Sequence, residues 1–321
     1  MSSPPTGDHG RDLRTALRNG LLAPAPPEAL RFVELFRRNH GAELAAVVLY
    51  GSRLSAGDAT RSGLHDFFLL TDHLRRFHGD LLQAALNLVV PPNIYYATVA
   101  SSDGPPLRCK YSVLSLDQFR RQTSAEADDI YHLGRFSKRV LLAYARDAQV
   151  EAQVVDGLER AVLALVPHAL ARLPETFTLD QAVGEVLGLS YLGEQRIAEP
   201  TKIDKLVSGD RDYYREVFAL ALAHHAVRRG APLRTGATYR HDLPDAASRR
   251  RTERFLARSR RRGVLRWPKF ALTVDDWLQI ELDKLERNHG VRLELTERER
   301  RHPLIFGWGR FLELRRKGII K

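Results

Sequence analysis

Two apolar runs near the start of the chain set its hydrophobic pattern. Residues 45–50 are uninterrupted apolar sequence ending on Gly51-Ser52-Arg53, and about a dozen residues later the stretch 64–70 is apolar apart from His65 and Asp66. Runs this short, bounded by turn-forming residues, predict two buried strands joined by a polar loop. Upstream, Phe32, Leu35 and Phe36 share one face of a helix over 28–40 that Gly41 stops and that backs the sheet. Downstream, Leu81, Leu82, Ala85 and Leu88 mark a helix running to Pro91-Pro92, and residues 94–99 and 107–114 read as paired strands.

From about residue 115 to 230 the apolar period changes to that of helices, near 116–122, 125–146, 151–172, 178–188, 201–207 and 211–228. The stretch 173–178 is a turn that caps a helix beginning at Leu179. A last capped helix has Thr273 as N-cap, Asp276 three residues on, a stripe of Leu278, Leu282 and Leu285, and Gly290 as terminator. Residues 1–27, rich in Ser, Pro and Gly around a helix-compatible piece from Leu13 to Leu22, are expected to form a flexible arm. The predicted class is α/β (α+β): a mixed sheet with flanking helices at 28–115, a helical domain at 116–230, and a basic C-terminal extension at 231–321.

Composition narrows the partners. The 321 residues carry a formal net charge of +11 with a pI near 10.0, which calls for an anionic partner such as nucleic acid, an acidic membrane surface or a phosphorylated substrate. Arg249, Arg250, Arg251, Arg254, Arg258, Arg260, Arg261 and Arg262 are opposed locally by Glu253 alone, so this run is either solvated or paired with an anion. The single cysteine, Cys109, excludes a disulfide framework or a cysteine zinc cluster and reads as a small buried apolar residue. No segment approaches the roughly 20 apolar residues that span a bilayer, and the Pro-rich start lacks a signal-peptide core, so a cytoplasmic location is expected.

The chemistry of Gly51, Ser52 and Asp66 is that of the nucleotidyltransferase signature. Gly51 lets the backbone approach a triphosphate, Ser52 adds a hydroxyl, and Asp66 at the mouth of the next strand can hold a divalent metal bridging phosphate oxygens. That superfamily usually has two acids at alternate strand positions; here the same-face neighbours of Asp66 are Leu64 and Phe68. Gly-Ser alone is a common strand-turn, and Asp66 alone could cap the turn.

A series of short motifs resembles one family. Tyr50-Gly51-Ser52 is followed by Asp66-Phe67, Phe77-His78, Tyr95-Tyr96 and Lys110-Tyr111-Ser112-Val113-Leu114-Ser115. Then come Tyr131-His132-Leu133-Gly134-Arg135-Phe136-Ser137-Lys138, Leu173-Pro174-Glu175-Thr176-Phe177 and Gly188-Leu189-Ser190-Tyr191-Leu192-Gly193-Glu194-Gln195-Arg196. In order and spacing, over about residues 45–207, the chain resembles the mitochondrial-type phosphatidate cytidylyltransferases, which make CDP-diacylglycerol from CTP and phosphatidic acid. That family also shows one acid where other nucleotidyltransferases show two. The resemblance implies a magnesium-dependent enzyme with CTP and phosphatidic acid as substrates, placed peripherally on an anionic membrane: the cytoplasmic face of the inner membrane, or the matrix side in a mitochondrion. The alternatives are a nucleotidyltransferase with another acceptor and a basic nucleic-acid-binding protein; the resemblance disfavours nucleic acid.

It also implies roles for residues that chemistry leaves open. Lys110 lies inside an apolar strand, where an ammonium requires an anion, and a buried salt bridge and a phosphate contact both meet that need. The resemblance favours phosphate, with Asp66, Lys110 and Arg196 catalytic and Asp66 on the metal. Gly51, Ser52, Tyr111, Arg135, Lys138 and Tyr191 are the implied nucleotide-binding set. Tyr111 also fits a core position, and Arg135 and Lys138 at i, i+3 also fit a solvated helix face. Arg196 follows a Gly-Leu-Ser-Tyr-Leu-Gly turn that suits a ligand role, whereas His78, Lys202 and Lys205 read as satisfied or solvated. Membrane binding is expected through the segment from about Arg249 onward, with Ile305, Phe306, Trp308 and Phe311 as apolar contacts.

Overall fold

The computed structural model describes residues 9–51, 64–101, 106–194 and 207–273, with Leu54 and positions 282, 286, 290–293, 295–301, 309, 313 and 316. Ser52, Arg53, Arg196, Lys202, Lys205, Leu278, Leu285, Ile305, Phe306, Trp308 and Phe311 lie outside the described residues, as do residues 201–206 of the helix expected at 201–207. Residues up to Arg266 form one compact unit and Trp267–Lys321 a second. The divisions expected at 115 and 230 both fall inside the first.

A five-stranded mixed sheet stands at the centre of the first unit. Its strands are β1 (Leu44–Tyr50), β2 (His65–Thr71), β3 (Asn93–Val99), β4 (Leu107–Ser115) and β5 (Leu141–Ala145), in the order β3-β4-β2-β1-β5. Only the β2–β4 pair is parallel. As predicted, β1 is buried throughout; in β2 the one position not buried is Asp66. The alternation of a strand divides the side chains between two cores. On one face Phe67, Leu69, Cys109 and Val113 pack against Phe32 and Phe36 of α2 (Pro27–His40). On the other, Phe68, Leu70 and Leu114 join the larger core formed with the helices beyond β4. Cys109 is fully buried, and burial pushes its thiol up to about 12, as befits an inert core residue.

Two short helices, α3 (Leu74–His78) and α4 (Leu81–Val89), link β2 to β3, and α5 (Leu116–Gln122) follows β4 behind a capping box made by Ser115 and Gln118. The expected helix over 125–146 is instead α6 (Ile130–Phe136) followed by β5. The run Leu141-Leu142-Ala143-Tyr144-Ala145 pairs with β1, and an apolar run this short does not reveal by its pattern whether it is helix or strand. The otherwise open edge of β1 decides the matter. Beyond lie α7 (Ala148–Leu170), β6 (Thr176–Thr178), α8 (Leu179–Gly193) and α9 (Arg211–Arg229). Thr178 caps α8 with Gln181, as the turn at 173–178 foretold. A small sheet pairs β6 with β8 (Thr238–Arg240) and β8 with β7 (Leu233–Thr235).

Two expectations are corrected. The flexible arm contains α1 (His9–Leu21), whose Leu13, Leu17 and Leu21 are buried in the larger core and whose Arg18 holds Glu151 of α7 at 2.7 Å. Its leucine spacing is that of an amphipathic helix, and tertiary burial, absent from local composition, orders it. Thr273 is no N-cap: it ends α10, which runs Ala246–Thr273. In the second unit Gly290 does close a helical turn, at φ 66° with its N–H on the Glu286 carbonyl at 2.8 Å. There Thr296 and Glu299 also cap α11 (Glu297–Arg301).

Candidate active site

Strand register places three polar side chains in one row. Tyr50 of β1 stands opposite Asp66 of β2, and Asp66 opposite Lys110 of β4, so all three project from the same face of the sheet. Lys110 Nζ lies 2.8 Å from Asp66 Oδ1. Gly51, immediately after Tyr50, has φ 96°, and a Cβ there would sit 3.0 Å from Asp66 Oδ2. Glycine is thus required twice, by the backbone and by the carboxylate beside it.

Helix α6 faces this row. It begins at Asp129, whose buried carboxylate accepts the Tyr131 N–H at 2.9 Å and also holds Arg262 at 3.1 Å and Arg266 at 2.7 Å. From this helix Arg135 forms a two-pronged pair with Glu194 at 2.5 and 3.1 Å and lies 3.5 Å over the Tyr131 ring. Lys138 donates to Ser190 Oγ at 2.9 Å, with its ammonium 4.7 Å from the Tyr191 ring centre. The contact between α6 and α8 depends on Gly134, where a Cβ would lie 2.3 Å from Cβ of Ser190.

The electrostatics bind these groups into one cluster. Burial works to strip Lys110 of its proton, but the Asp66 carboxylate 2.8 Å away outweighs it and holds the ammonium charged. Burial likewise opposes the Arg135 charge, and Glu194 restores it. The Tyr50 phenol is kept neutral chiefly by burial; Lys110, Asp66, Tyr131 and Arg135 all act on it. Its hydroxyl is buried with no hydrogen-bond partner among the described residues. An orphaned buried donor beside two cations is suited to an anionic oxygen.

The structure therefore gathers Gly51, Asp66, Lys110 and Arg135, while Lys138, beyond the end of α6, and Tyr191 meet each other beside Ser190. Tyr111 is not among them. One residue from Lys110, it projects from the other face, where its ring lies 4.9 Å from Phe36 and 5.3 Å from Tyr95, the core placement its sequence context also allowed. Lys110 is paired with a carboxylate of this chain, Asp66, the salt bridge its strand position allowed; Arg135 does not lie on a solvated helix face but is buried against Glu194. His78 is satisfied by Asn87 and the Tyr95 hydroxyl, each at 3.0 Å. Tyr50 and Glu194 received no role from the sequence, although both stand inside the motifs quoted. A tyrosine ending an otherwise aliphatic strand was the available signal for the first.

The site is rich in cations and has one carboxylate at the mouth of a central strand. No group of three or more His, Cys, Asp or Glu side chains converges among the described residues. Asp66 offers hard oxygen ligands, which suit a small divalent cation completed by ligands from a bound molecule.

A mixed α+β sheet with an acid at a strand mouth, a positive-φ glycine after the neighbouring strand and cations facing both defines a nucleotidyltransferase-like protein. Residues 63–256 match the family model described as phosphatidate cytidylyltransferase, mitochondrial, and the chain belongs to that family. Among relatives of that name, it is 28% identical over 133 residues to the one from Bos taurus, covering 40% of this chain and 38% of the relative. For Caenorhabditis elegans the values are 28% over 173 residues, 48% and 52%, and for Danio rerio 24% over 153 residues, 44% and 41%. The chain thus spans about half the length of these relatives or less.

Proposed function

We propose that this chain transfers a cytidylyl group from CTP to phosphatidic acid, forming CDP-diacylglycerol and pyrophosphate. The observation that carries the reading is the row of Tyr50, Asp66 and Lys110 beside Gly51, with the Arg135 charge acting on Tyr50, in a member of this family. A phosphate oxygen of phosphatidic acid attacks the α-phosphorus of CTP. The new O–P bond forms as the bond to the bridging oxygen breaks, and pyrophosphate leaves with the electron pair. Because the nucleophile is already an anion, no proton must be removed, and catalysis rests on positioning and charge neutralisation.

Each group has a task. Gly51 lets the backbone approach the triphosphate, the Tyr50 hydroxyl donates to a phosphate oxygen, and Lys110 and Lys138 neutralise others. Arg135, held by Glu194 and Tyr131, lies pre-oriented and loses little freedom when a phosphate arrives. Asp66 fits a magnesium ion, which when bound would draw charge from the phosphate oxygens. The exposed basic residues that suggested nucleic acid are partly engaged within the protein: Arg258 donates to the Ala127 carbonyl, and Arg262 holds Asp128 and Asp129.

The test is purified protein with magnesium, labelled CTP and phosphatidic acid in mixed micelles, scored for CDP-diacylglycerol. CTP is expected to serve better than ATP or GTP, and Asp66→Asn to abolish transfer in protein that still folds but is less stable, since an amide lacks the charge that retains a metal and offsets Lys110. Turnover of the variant near the wild-type rate, in protein shown by circular dichroism to be folded, would refute the placement of the site. Equal use of all nucleotides would point to another transfer.

A further inference from the structure

Helix α4 is amphipathic in the wrong sense for water. Leu81, Leu82, Leu88 and Val89 are 65%, 66%, 68% and 70% exposed, and Ala85 lies between them on the same side. Its one buried side chain is polar. Asn87, fully buried, donates to the Val113 carbonyl at 3.1 Å and accepts the Asn93 N–H at 3.1 Å, while its own carbonyl receives Gln118 at 2.8 Å. Asp80 caps the helix through the Gln83 N–H at 2.7 Å. A surface helix ordinarily turns its apolar stripe to the core. Here well-made hydrogen bonds hold the stripe outward, and a contiguous exposed aliphatic patch marks an interaction surface.

We propose that α4 is a face by which this protein lies on a lipid bilayer, in addition to the segment from about Arg249 onward expected to bind one, its aliphatic side chains entering the acyl region. The inference rests on the acceptor being a bilayer lipid, and the position of α4 supports it. Two residues past α4, Pro91 offers its carbonyl to Arg266 at 3.3 Å. Arg266 lies 4.3 Å over the Tyr131 ring, on which Arg135 also stacks. The chain just beyond the patch is thus linked through Pro91, Arg266 and Tyr131 to Arg135 of the candidate site, consistent with a lipid whose tails lie at α4 and whose phosphate lies at the site. Arg75 and Arg76, both exposed on the preceding helix, supply the positive charge that favours an anionic surface.

The experiment is flotation of the full chain with vesicles of phosphatidylcholine, with and without a minority of phosphatidic acid, for the wild type and for Leu81→Gln/Leu88→Gln/Val89→Gln. The triple variant is expected to partition at least about tenfold more weakly onto both vesicle types, because each aliphatic side chain withdrawn from water is worth on the order of a tenfold change. Its unfolding temperature and elution volume should match the wild type, because these side chains are about two-thirds exposed. Partitioning like that of the wild type, or a wild type that ignores vesicles, overturns the proposal. So does a lower unfolding temperature, which would assign the patch to the protein's own residues, or a change from dimer to monomer, which would assign it to a second copy. Flotation involves no CTP, so failure of cytidylyl transfer in the wild type would refute the enzymatic reading while leaving this result to stand alone.

Discussion

Replacing Gly51 by alanine probes the site with the smallest possible change. At φ 96° an L-residue is strained, at a cost of about 1–2 kcal/mol. The added methyl would also meet Asp66 Oδ2 at 3.0 Å, so the carboxylate must move by a few tenths of an ångström away from its place beside Lys110. Gly79→Ala separates the two effects: its φ is 65°, and nothing lies within 4 Å of the Cβ position. Both variants should lose similar stability in urea. Only Gly51→Ala should lose turnover, by about a hundredfold or more, as misplacement of a positioned catalytic group by a fraction of an ångström to an ångström does. Wild-type turnover in Gly51→Ala, or an equal loss in Gly79→Ala, would refute the claim that this glycine serves the position of Asp66.

Three further outcomes follow from burial and charge. Glu194→Gln leaves the buried Arg135 guanidinium uncompensated and should cost about 3–5 kcal/mol by urea unfolding; CTP should then stabilise this variant more than the wild type, and an equal thermal shift would argue against Arg135 as a phosphate ligand. Leu17→Ala should cost about 2–5 kcal/mol, where a flexible arm would cost nothing measurable. His168, bonded to Thr252 at 3.0 Å, has its pKa lowered to about 4 by burial, aided by Arg251 and Arg258. Because the unfolded chain binds the proton more readily, this histidine's contribution to stability is complete above pH 6.5 and is lost as pH falls from there towards 4; unfolding curves of His168→Gln should lack that part of the acid sensitivity, and parallel losses in both proteins would contradict it.

The amino-acid sequence by itself determined the strands β1 to β4, the helix behind them, the cap at Thr178 and the acid at Asp66, because each is written in local periodicity, turn chemistry or an isolated charge in an apolar run. It also placed Lys110 beside an anion, since a buried ammonium demands one, but could not say which. Strand register decided that: β2 and β4 are neighbours only in the folded sheet, and their pairing sets Lys110 against Asp66. Register likewise sent Tyr111 to the far face, one position being enough to reverse a side chain. The edge of β1 turned the run at 141–145 into a strand. Packing against α7 and α9 turned an arm of unremarkable composition into part of the core. The outward stripe of α4 was the least legible of all, because periodicity gives the spacing of leucines on a helix and leaves the direction they face to whatever the opposite side can bind, here the hydrogen bonds of one buried asparagine.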